Sequence, residues 1–383
     1  MAPQTNPFRF GALALDEAFA DREGEVTELA GDIRNGQDVV VFAPRRWGKS
    51  SLVWRAAREL AADRVLVAQV DLMATPSKES LAAALAGSIY ENIASTLERA
   101  RERALAPFRG LRIQPTISVN PEDGSFSFSF EVGRGDPDVD ATLERLLELP
   151  AELGGARGRR AALVIDEFQE IVEIDPGLPK LLRAVFQRQP EVAHVYLGSK
   201  RHVMERIFND ANEPFWRSAK TIELGPIPAE PFAAFIAERF RATDRSVDEA
   251  TLGEALALTG GHPYATQELC YFLWEGTPAK EVATRERLRE AVEAVLRSEH
   301  AHFSLLWESA SAVQKLVLGA LAQEPGRPFT AAYRSRHDLP PATNVQKALR
   351  ALTQRELVAG EGGAYRIVEP FLAEWVRGRV VAG

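Results

Sequence analysis

Residues 39–52 constrain the fold more than any other part of the chain. The apolar run Val39–Phe42 lacks polar alternation, which is typical of a buried parallel strand. A short loop over residues 43–50 follows, and apolar residues then return at helical spacing over residues 52–60. Strand, tight loop and helix in this order are what a phosphate-binding loop requires.

The loop residues supply the groups that bind a nucleotide triphosphate. Backbone N–H groups and the helix N-terminus point at the anion, Lys49 brings a mobile positive charge, and the Ser50 hydroxyl can hold Mg²⁺. Ala43 replaces the first glycine of the G-x-x-x-x-G-K-[ST] pattern, which is tolerable if its φ stays negative. The predicted nucleotide-binding residues of the loop are Ala43, Pro44, Arg45, Arg46, Trp47, Gly48, Lys49, Ser50 and Ser51.

A second buried strand, over residues 161–165, ends in the carboxylate pair Asp166 and Glu167. Two acids at the end of an apolar strand are costly unless a cation lies there. Downstream of a phosphate-binding loop, we expect Asp166 to reach the metal, directly or through water. Glu167 is placed to polarise a water for attack on the γ-phosphate.

Two later residues are candidates for contact with the γ-phosphate. Ser199 follows the apolar strand of residues 192–198, at the strand end where open α/β sheets bind ligands. A Gly-Ser pair in a simple turn is the alternative. Arg217 is the candidate cation for charge on the γ-phosphate, in cis or from a neighbouring subunit, with a plain surface arginine as the alternative.

A helix is expected from about Ala18 to Asn35, ahead of the loop. Phe19 and Arg22 are candidates for the wall around the adenine. The alternative is an ordinary amphipathic helix.

The chain divides by pattern into several segments. Residues 112–133 predict a β-hairpin in which Phe126, Phe128 and Phe130 alternate with serines, either packed on the core or offered to a partner or second copy. The expected order is a loose leader (1–13), a nucleotide-binding α/β domain (14–225) containing that hairpin, a helical lid (226–305) and a winged helix-turn-helix domain (306–383).

The last domain carries an excess of basic over acidic residues, although the whole chain has a net charge of -8. Lys347, Arg350 and Arg355 are candidates for contact with a DNA backbone. Winged helices also serve as protein-packing modules, and that alternative stays open at this point.

The amino-acid composition limits the class of protein but gives no detail of its site. Hydrophobic content of 45% and charged content of 26% are ordinary for a globular protein. No run of residues predicts a transmembrane helix, and the one cysteine, Cys270, lies in an apolar run that predicts a packed core thiol. A cytoplasmic location is expected, without membrane attachment.

With these motifs identified, the chain resembles the archaeal-type ATPase family, a branch of P-loop NTPases close to AAA+ proteins. The resemblance implies an α/β P-loop NTPase with a parallel sheet flanked by helices, an α-helical lid and often a winged helix, with ATP and Mg²⁺ as ligands. It also implies that Gly261 and Pro263 lie near the base or sugar. The motifs are Asp21-Arg22-Glu23, residues 44–50, Ile165-Asp166-Glu167-Phe168-Gln169, Gly198-Ser199, Phe215-x-Arg217 and Gly261-His262-Pro263-Tyr264.

The predicted function is an ATP-binding, slowly hydrolysing switch whose nucleotide state moves the lid and the winged helix. Ala43 in place of glycine affects turnover more than binding. One alternative is a DNA-binding regulator or loader in which ATP is mainly structural. Another is an interaction scaffold that oligomerises through the Phe-rich hairpin.

Overall fold

The computed structural model describes residues 5–15, 18–94, 105–108, 111, 113–119, 126–132 and 139–382, with backbone alone at 94, 113–119, 126–132 and 380–382. The chain separates into two compact units. The first, here called the sheet unit, comprises Arg22–Pro44 and Lys49–Leu224. The second, the helical unit, comprises the N-terminal residues to Asp21, the loop segment Arg45–Gly48, and Gly225–Gly383.

The sheet unit is built around a five-stranded parallel sheet with the order β2-β5-β6-β1-β7. Its strands are β1 (Val39–Phe42), β2 (Leu66–Asp71), β5 (Ala161–Asp166), β6 (Val192–Gly198) and β7 (Lys220–Glu223). Strands β1, β5 and β6 are buried along their whole length, as the apolar runs predict. The predicted fold class is therefore confirmed.

Helices accompany the strands of this sheet. They are α1 (Glu23–Arg34), α2 (Lys49–Ala62), α3 (Lys78–Ile89), α4 (Val139–Gly155), α5 (Ile171–Ile174), α6 (Leu178–Phe186) and α7 (Arg201–Asn209). Helix α1 begins at Glu23 rather than near Ala18, because Asp21 (φ 52°) and Arg22 (φ 74°) adopt left-handed backbone conformations that a helix cannot continue through.

The expected hairpin is present in the backbone. Strands β3 (Ile113–Val119) and β4 (Phe126–Val132) pair antiparallel. The turn between them and the side chains of Phe126, Phe128 and Phe130 lie outside the described residues, so a partner surface there stays a prediction.

The helical unit shares one hydrophobic core that extends from the lid residues into the C-terminal residues. Its helices are α8 (Ala229–Ala242), α9 (Glu249–Thr259), α10 (Pro263–Glu275), α11 (Arg285–Ser298), α12 (His300–Glu308), α13 (Ala312–Gln323), α14 (Ala331–Arg336), α15 (Ala342–Gln354) and α16 (Pro370–Ala382). A two-residue parallel pair, β8 (Ser246–Val247) with β9 (Val282–Ala283), interrupts what the sequence predicts as entirely helical.

Helices α13, α14 and α15 precede the antiparallel pair β10 (Val358–Glu361) and β11 (Ala364–Ile367), which is the winged-helix order that the sequence predicts. At the other end, Phe8 is buried in this unit with its ring 5.4 Å from that of Phe240. The segment expected to be a loose leader is thus anchored by an aromatic contact. The domain boundaries inferred from sequence remain predictions. In the described part of the chain, no helix combines the length and apolar content that crossing a bilayer needs.

Candidate functional site

The carboxyl ends of three neighbouring strands bring the predicted nucleotide-binding residues of the sheet unit together. Strand β1 lies between β6 and β7, and β5 pairs with the other side of β6. Phe42 is in register with Gly198, and the N–H of Ala43 donates to the Gly198 carbonyl at 3.4 Å. The loop after β1, the acids after β5 and Ser199 after β6 therefore begin at the same edge of the sheet.

Lys49 begins helix α2 and is almost completely buried. Its ammonium Nζ donates to the carbonyl oxygens of Ala43 (2.9 Å) and Pro44 (3.2 Å). The lysine thus folds back over its own loop, where these two carbonyls hold its charge. Ser50 and the buried Ser51 follow it in the first turn of the helix.

The backbone of the loop explains its glycine pattern. Gly48 has φ 86° and Arg46 has φ 66°, both in the left-handed region. Glycine adopts this conformation at no steric cost, so it is favoured at position 48, whereas Arg46 bears the strain of a non-glycine residue. Ala43 is not among the residues with positive φ, which is the condition for an alanine in place of the first glycine.

Ser50 and Asp166 lie 116 residues apart in sequence and are joined by a 2.9 Å hydrogen bond from the serine Oγ to the carboxylate Oδ2. The other carboxylate oxygen of Asp166 accepts the backbone N–H of Glu167 at 2.9 Å. Burial raises the pKa of the Asp166 carboxyl, although both of these hydrogen bonds act in the opposite direction. A cation beside the carboxylate would oppose the effect of burial.

Glu167, the predicted base, occupies a left-handed backbone conformation with φ 51°. Its carboxylate Oε2 accepts hydrogen bonds from the Ser199 hydroxyl, at 2.9 Å, and from the Gln169 side-chain amide. A non-glycine residue pays about 1–3 kcal/mol for such a conformation, and these residues often lie at functional sites. The sequence-predicted pair Glu167 and Ser199 is therefore in direct contact.

Two other predicted residues of the sheet unit stay outside this hydrogen-bonded cluster. Arg217 is exposed, and its guanidinium lies 5.5 Å from the ring centre of Trp216 in the same turn. Arg22 is buried and pairs with Glu25 at 3.2 Å, within the first turn of α1. The roles predicted for both side chains remain predictions.

The remaining loop residues find their contacts in the helical unit, to which they belong. Arg45, Arg46 and Trp47 each have a side-chain contact with a residue far away in sequence. The pairs are Arg46 over the Tyr264 ring (4.3 Å to its centre), Trp47 with the His262 ring (5.1 Å between ring centres) and Arg45 with the Glu356 carboxylate (3.3 Å).

The Gly-His-Pro element has a clear local role in the helical unit. Gly261 has φ 71°, and a Cβ there would run into the Ile227 carbonyl. His262 caps helix α10, because its Nδ1 accepts the N–H of Ala265 at 3.3 Å. Burial lowers the pKa of His262 to about 4, so the ring is neutral, as this cap requires. Pro263 takes the first helical position. Phe19, also in this unit, is half-buried, and the adenine contacts predicted for Phe19, Gly261 and Pro263 stay predictions.

The residues at Ser50 and Asp166 suit a magnesium ion. A hydroxyl and a carboxylate are hard oxygen ligands, and Mg²⁺ in nucleotide sites takes one or two protein ligands, with phosphate oxygens and waters filling the rest. Among the described residues, no group of three or more His, Cys, Asp or Glu side chains is arranged to hold a metal by itself.

The sequence assigns no role to Gln169, although the structure places it in the site. Its side chain is buried and touches both Glu167 and Ser199. A polar residue within an apolar stretch directly after the acidic pair is the pattern that points to it.

Comparison with protein families agrees with this geometry. Residues 19–269 match the model described as an ATPase domain predominantly from Archaea. The chain belongs to this family. Residues 301–378 match a probable winged helix domain, in agreement with α13 to β11. The resemblance predicted from the motifs is therefore confirmed, and the comparison with curated proteins found no match.

Solved structures support the fold of this ATPase-family chain. The Walker-type ATPase PABY2304 of Pyrococcus abyssi is 18% identical with a TM-score of 0.67, covering 95% of this chain and 97% of that chain. The ORC2 protein of Aeropyrum pernix, in ADPNP–ADP complexes, is 16% identical with a TM-score of 0.55, covering 98% of each chain. At these identities the likeness shows the fold alone.

Proposed function

We propose that the chain binds ATP with Mg²⁺ and hydrolyses it to ADP and phosphate. One observation carries the proposal: the Ser50 hydroxyl and the Asp166 carboxylate meet at 2.9 Å, directly beside the buried Lys49. Membership of an ATPase family supports the reaction class. The nucleotides named for the Aeropyrum pernix ORC2 structure support adenine as the base.

Each residue of the cluster has a role in this reaction. Lys49 exchanges its two carbonyl partners for phosphate oxygens, which carry full negative charge and attract the ammonium more strongly. Ser50 and Asp166 would hold Mg²⁺, which would supply positive charge to offset that of the phosphates. Glu167 accepts a proton from water as the water oxygen attacks the γ-phosphorus and the bond to the bridging β–γ oxygen breaks. Ser199 orients the glutamate or senses the γ-phosphate.

Turnover is proposed to be slow, because Ala43 replaces the glycine that usually opens the loop. Arg217 remains a candidate for the cation that stabilises charge on the γ-phosphate, either in the same chain or from a neighbouring one. Its exposed position is compatible with both.

The test is phosphate release and nucleotide binding by the full chain, with Lys49→Ala as the variant. Loss of a buried phosphate-binding cation is expected to lower hydrolysis by about 100-fold or more. Lys220→Ala is the matched control, because Lys220 lies at the amino end of β7 and pairs with Glu28 and Asp32. Unchanged binding and turnover in Lys49→Ala would falsify the proposal.

The nucleotide state is further proposed to change the conformation of the helical unit. The loop segment Arg45–Gly48 supports this, because its side chains contact Tyr264, His262 and Glu356 of that unit. Hydrogen exchange in α10 is expected to differ between the ATP-bound and ADP-bound chains. Identical exchange in both states would contradict a switch.

A second candidate function is binding of double-stranded DNA by the winged helix. The observation that favours it is the polarity of α15. Lys347 and Arg350 are exposed on this helix, whereas Arg355 donates to the Ser309 hydroxyl at 2.6 Å and is engaged within the protein. The buried face of the helix consists of Val345, Ala348, Leu349 and Leu352.

Duplex DNA binding measured by anisotropy at several salt concentrations tests this candidate. Lys347→Ala and Arg350→Ala are each expected to weaken binding and to lower the salt slope by about one. Arg297→Ala, an exposed arginine of α11, is the control. Equal weakening by the control, or no salt dependence, would argue against a DNA interface.

A further inference from the structure

Gln169 has no assigned role, yet it is one of the most buried polar side chains near the site. It lies in the 3₁₀ turn Phe168–Glu170 and is only 2% exposed. A primary amide buried to this degree needs hydrogen-bond partners on both its nitrogen and its oxygen. Its partners are therefore informative about what the residue does.

Those partners are the two residues around the proposed reaction centre. The Gln169 amide Nε2 donates to the Glu167 Oε2 and, at 3.4 Å, to the Ser199 Oγ, and its Oε1 accepts the backbone N–H of Ser199 at 3.3 Å. The Ser199 hydroxyl also donates to the same Glu167 oxygen, at 2.9 Å. Three side chains from the ends of β5 and β6 thus form a closed ring of hydrogen bonds.

We propose that Gln169 is the positioning residue for Glu167, an inference that rests on the proposed ATP hydrolysis. Both hydrogen bonds to the glutamate side chain engage Oε2, which restrains the rotamer and leaves Oε1 to accept the proton of the attacking water. Glu167 also has a left-handed backbone, a conformation that non-glycine residues adopt rarely and often at functional sites. Gln169 itself touches no substrate and acts through the glutamate.

The neighbouring ion pair between Lys200 and Glu170 favours the hydrogen bond from the Gln169 amide to Glu167. Glu170 is a competing acceptor, since its Oε1 lies 3.5 Å from the Gln169 Nε2. That same oxygen accepts a charge-assisted hydrogen bond from the Lys200 ammonium at 2.7 Å. The lysine charge weakens Glu170 as a competitor for the amide, because part of its negative charge is already neutralised.

The experiment compares Gln169→Met with Gln189→Met in the full chain. Methionine has about the length of glutamine but no amide, so it makes none of the hydrogen bonds of the Gln169 side chain with Glu167 and Ser199. Gln189 is the matched control, because it is 5% exposed in the same unit and its amide donates to the Leu147 carbonyl at 3.0 Å. Both variants lose one buried amide, but only Gln169→Met removes a hydrogen bond to the Glu167 side chain.

The expected result is a split between kcat and KM. Gln169→Met lowers kcat by about 100-fold, the scale of a misplaced reacting group, while KM and ATP affinity stay within about twofold of wild type. Gln189→Met keeps wild-type kcat, because its amide donates only to the Leu147 carbonyl. Gln169→Glu is the second variant, because it retains the acceptor for the Ser199 N–H, removes the amide donor and sets a second carboxylate against Glu167, which displaces that side chain; its kcat falls as well.

Three outcomes overturn the inference. These are equal kcat in Gln169→Met and Gln189→Met, a rise in KM without a fall in kcat, and wild-type kcat in Gln169→Glu. A wild-type chain that binds ATP without hydrolysing it refutes the proposed function and this inference together. A wild-type chain that hydrolyses ATP and tolerates loss of Gln169 refutes this inference alone.

Discussion

Glu268 of helix α10 makes a quantitative prediction about stability and pH. The side chain is 1% exposed, and burial raises the pKa of its carboxyl to about 8. The nearby carboxylates of Glu299 and Glu369 act in the same direction, whereas the Arg46 guanidinium opposes them. Glu268→Gln is the perturbation, because an amide mimics the shape of the protonated acid and cannot ionise.

The direction of the effect follows from proton linkage. An unfolded glutamate titrates near 4.5, so between that pH and about 8 the native chain holds a proton that the unfolded chain has lost. The protonated Glu268 therefore contributes its full stabilisation below the unfolded pKa of 4.5. This contribution falls as pH rises and is lost above the folded pKa of about 8. The difference between 4.5 and about 8, at roughly 1.4 kcal/mol for each pH unit, amounts to about 5 kcal/mol.

Glu369 contributes in the same sense, since burial raises the pKa of its carboxyl to about 7. The wild-type helical unit is thus expected to lose stability between pH 5 and pH 9. Glu268→Gln is expected to match the wild type at pH 5 and to exceed it at pH 9. The slope that remains in the variant combines Glu369 with His262, whose pKa is lowered to about 4 and which therefore adds stability as pH rises toward 6.5.

The assay is hydrogen exchange of the α10 amides in increasing denaturant, because it reports this unit separately from the sheet unit. Glu293→Gln, at a residue that is 71% exposed on α11, is the control and should leave the pH dependence unchanged. The reasoning is refuted if Glu268→Gln and the wild type lose the same stability between pH 5 and pH 9.

Further substitutions test the site and its support. Asp166→Asn keeps a hydrogen-bond acceptor for Ser50 but removes the charge, so ATP hydrolysis should lose its Mg²⁺ stimulation; a normal Mg²⁺ titration would exclude Asp166 as a ligand. Gly261→Ala should destabilise the helical unit by about 2 kcal/mol or more, because the left-handed backbone adds strain and the new Cβ meets the Ile227 carbonyl. Gly253→Ala, in open space on α9, is its control and should raise stability by about 0.5–1 kcal/mol in thermal unfolding.

The local sequence pattern was sufficient to predict the fold where buried parallel strands form the sheet. The apolar runs of β1, β5 and β6 predicted buried parallel strands, and the ends of such strands meet at one edge of a sheet. That rule places all four residues at one edge, and the strand order then brings Ser50 to Asp166 and Glu167 to Ser199. The order of three helices and a hairpin likewise predicted the winged helix.

The misses arise where a contact between distant residues decides the conformation. Phe8 becomes part of a core because of Phe240, a partner that no local pattern names. The start of α1 shifts because Asp21 and Arg22 adopt left-handed conformations that their residue types do not demand. Gln169 acquires a role only when two strand ends are adjacent, since Ser199 lies 30 residues further along.

The division of the phosphate loop between the two units has a consequence for how the chain can be dissected. Lys49 and Pro44 group with the sheet, while the side chains of Arg45, Arg46 and Trp47 contact Glu356, Tyr264 and His262. A fragment that stops at Leu224 would keep every group of the acidic cluster and still lack the partners of three consecutive loop side chains. Such a fragment is expected to bind a nucleoside triphosphate more weakly than the full chain, even when its sheet is intact. Nucleotide binding by this protein is therefore best measured on the full chain.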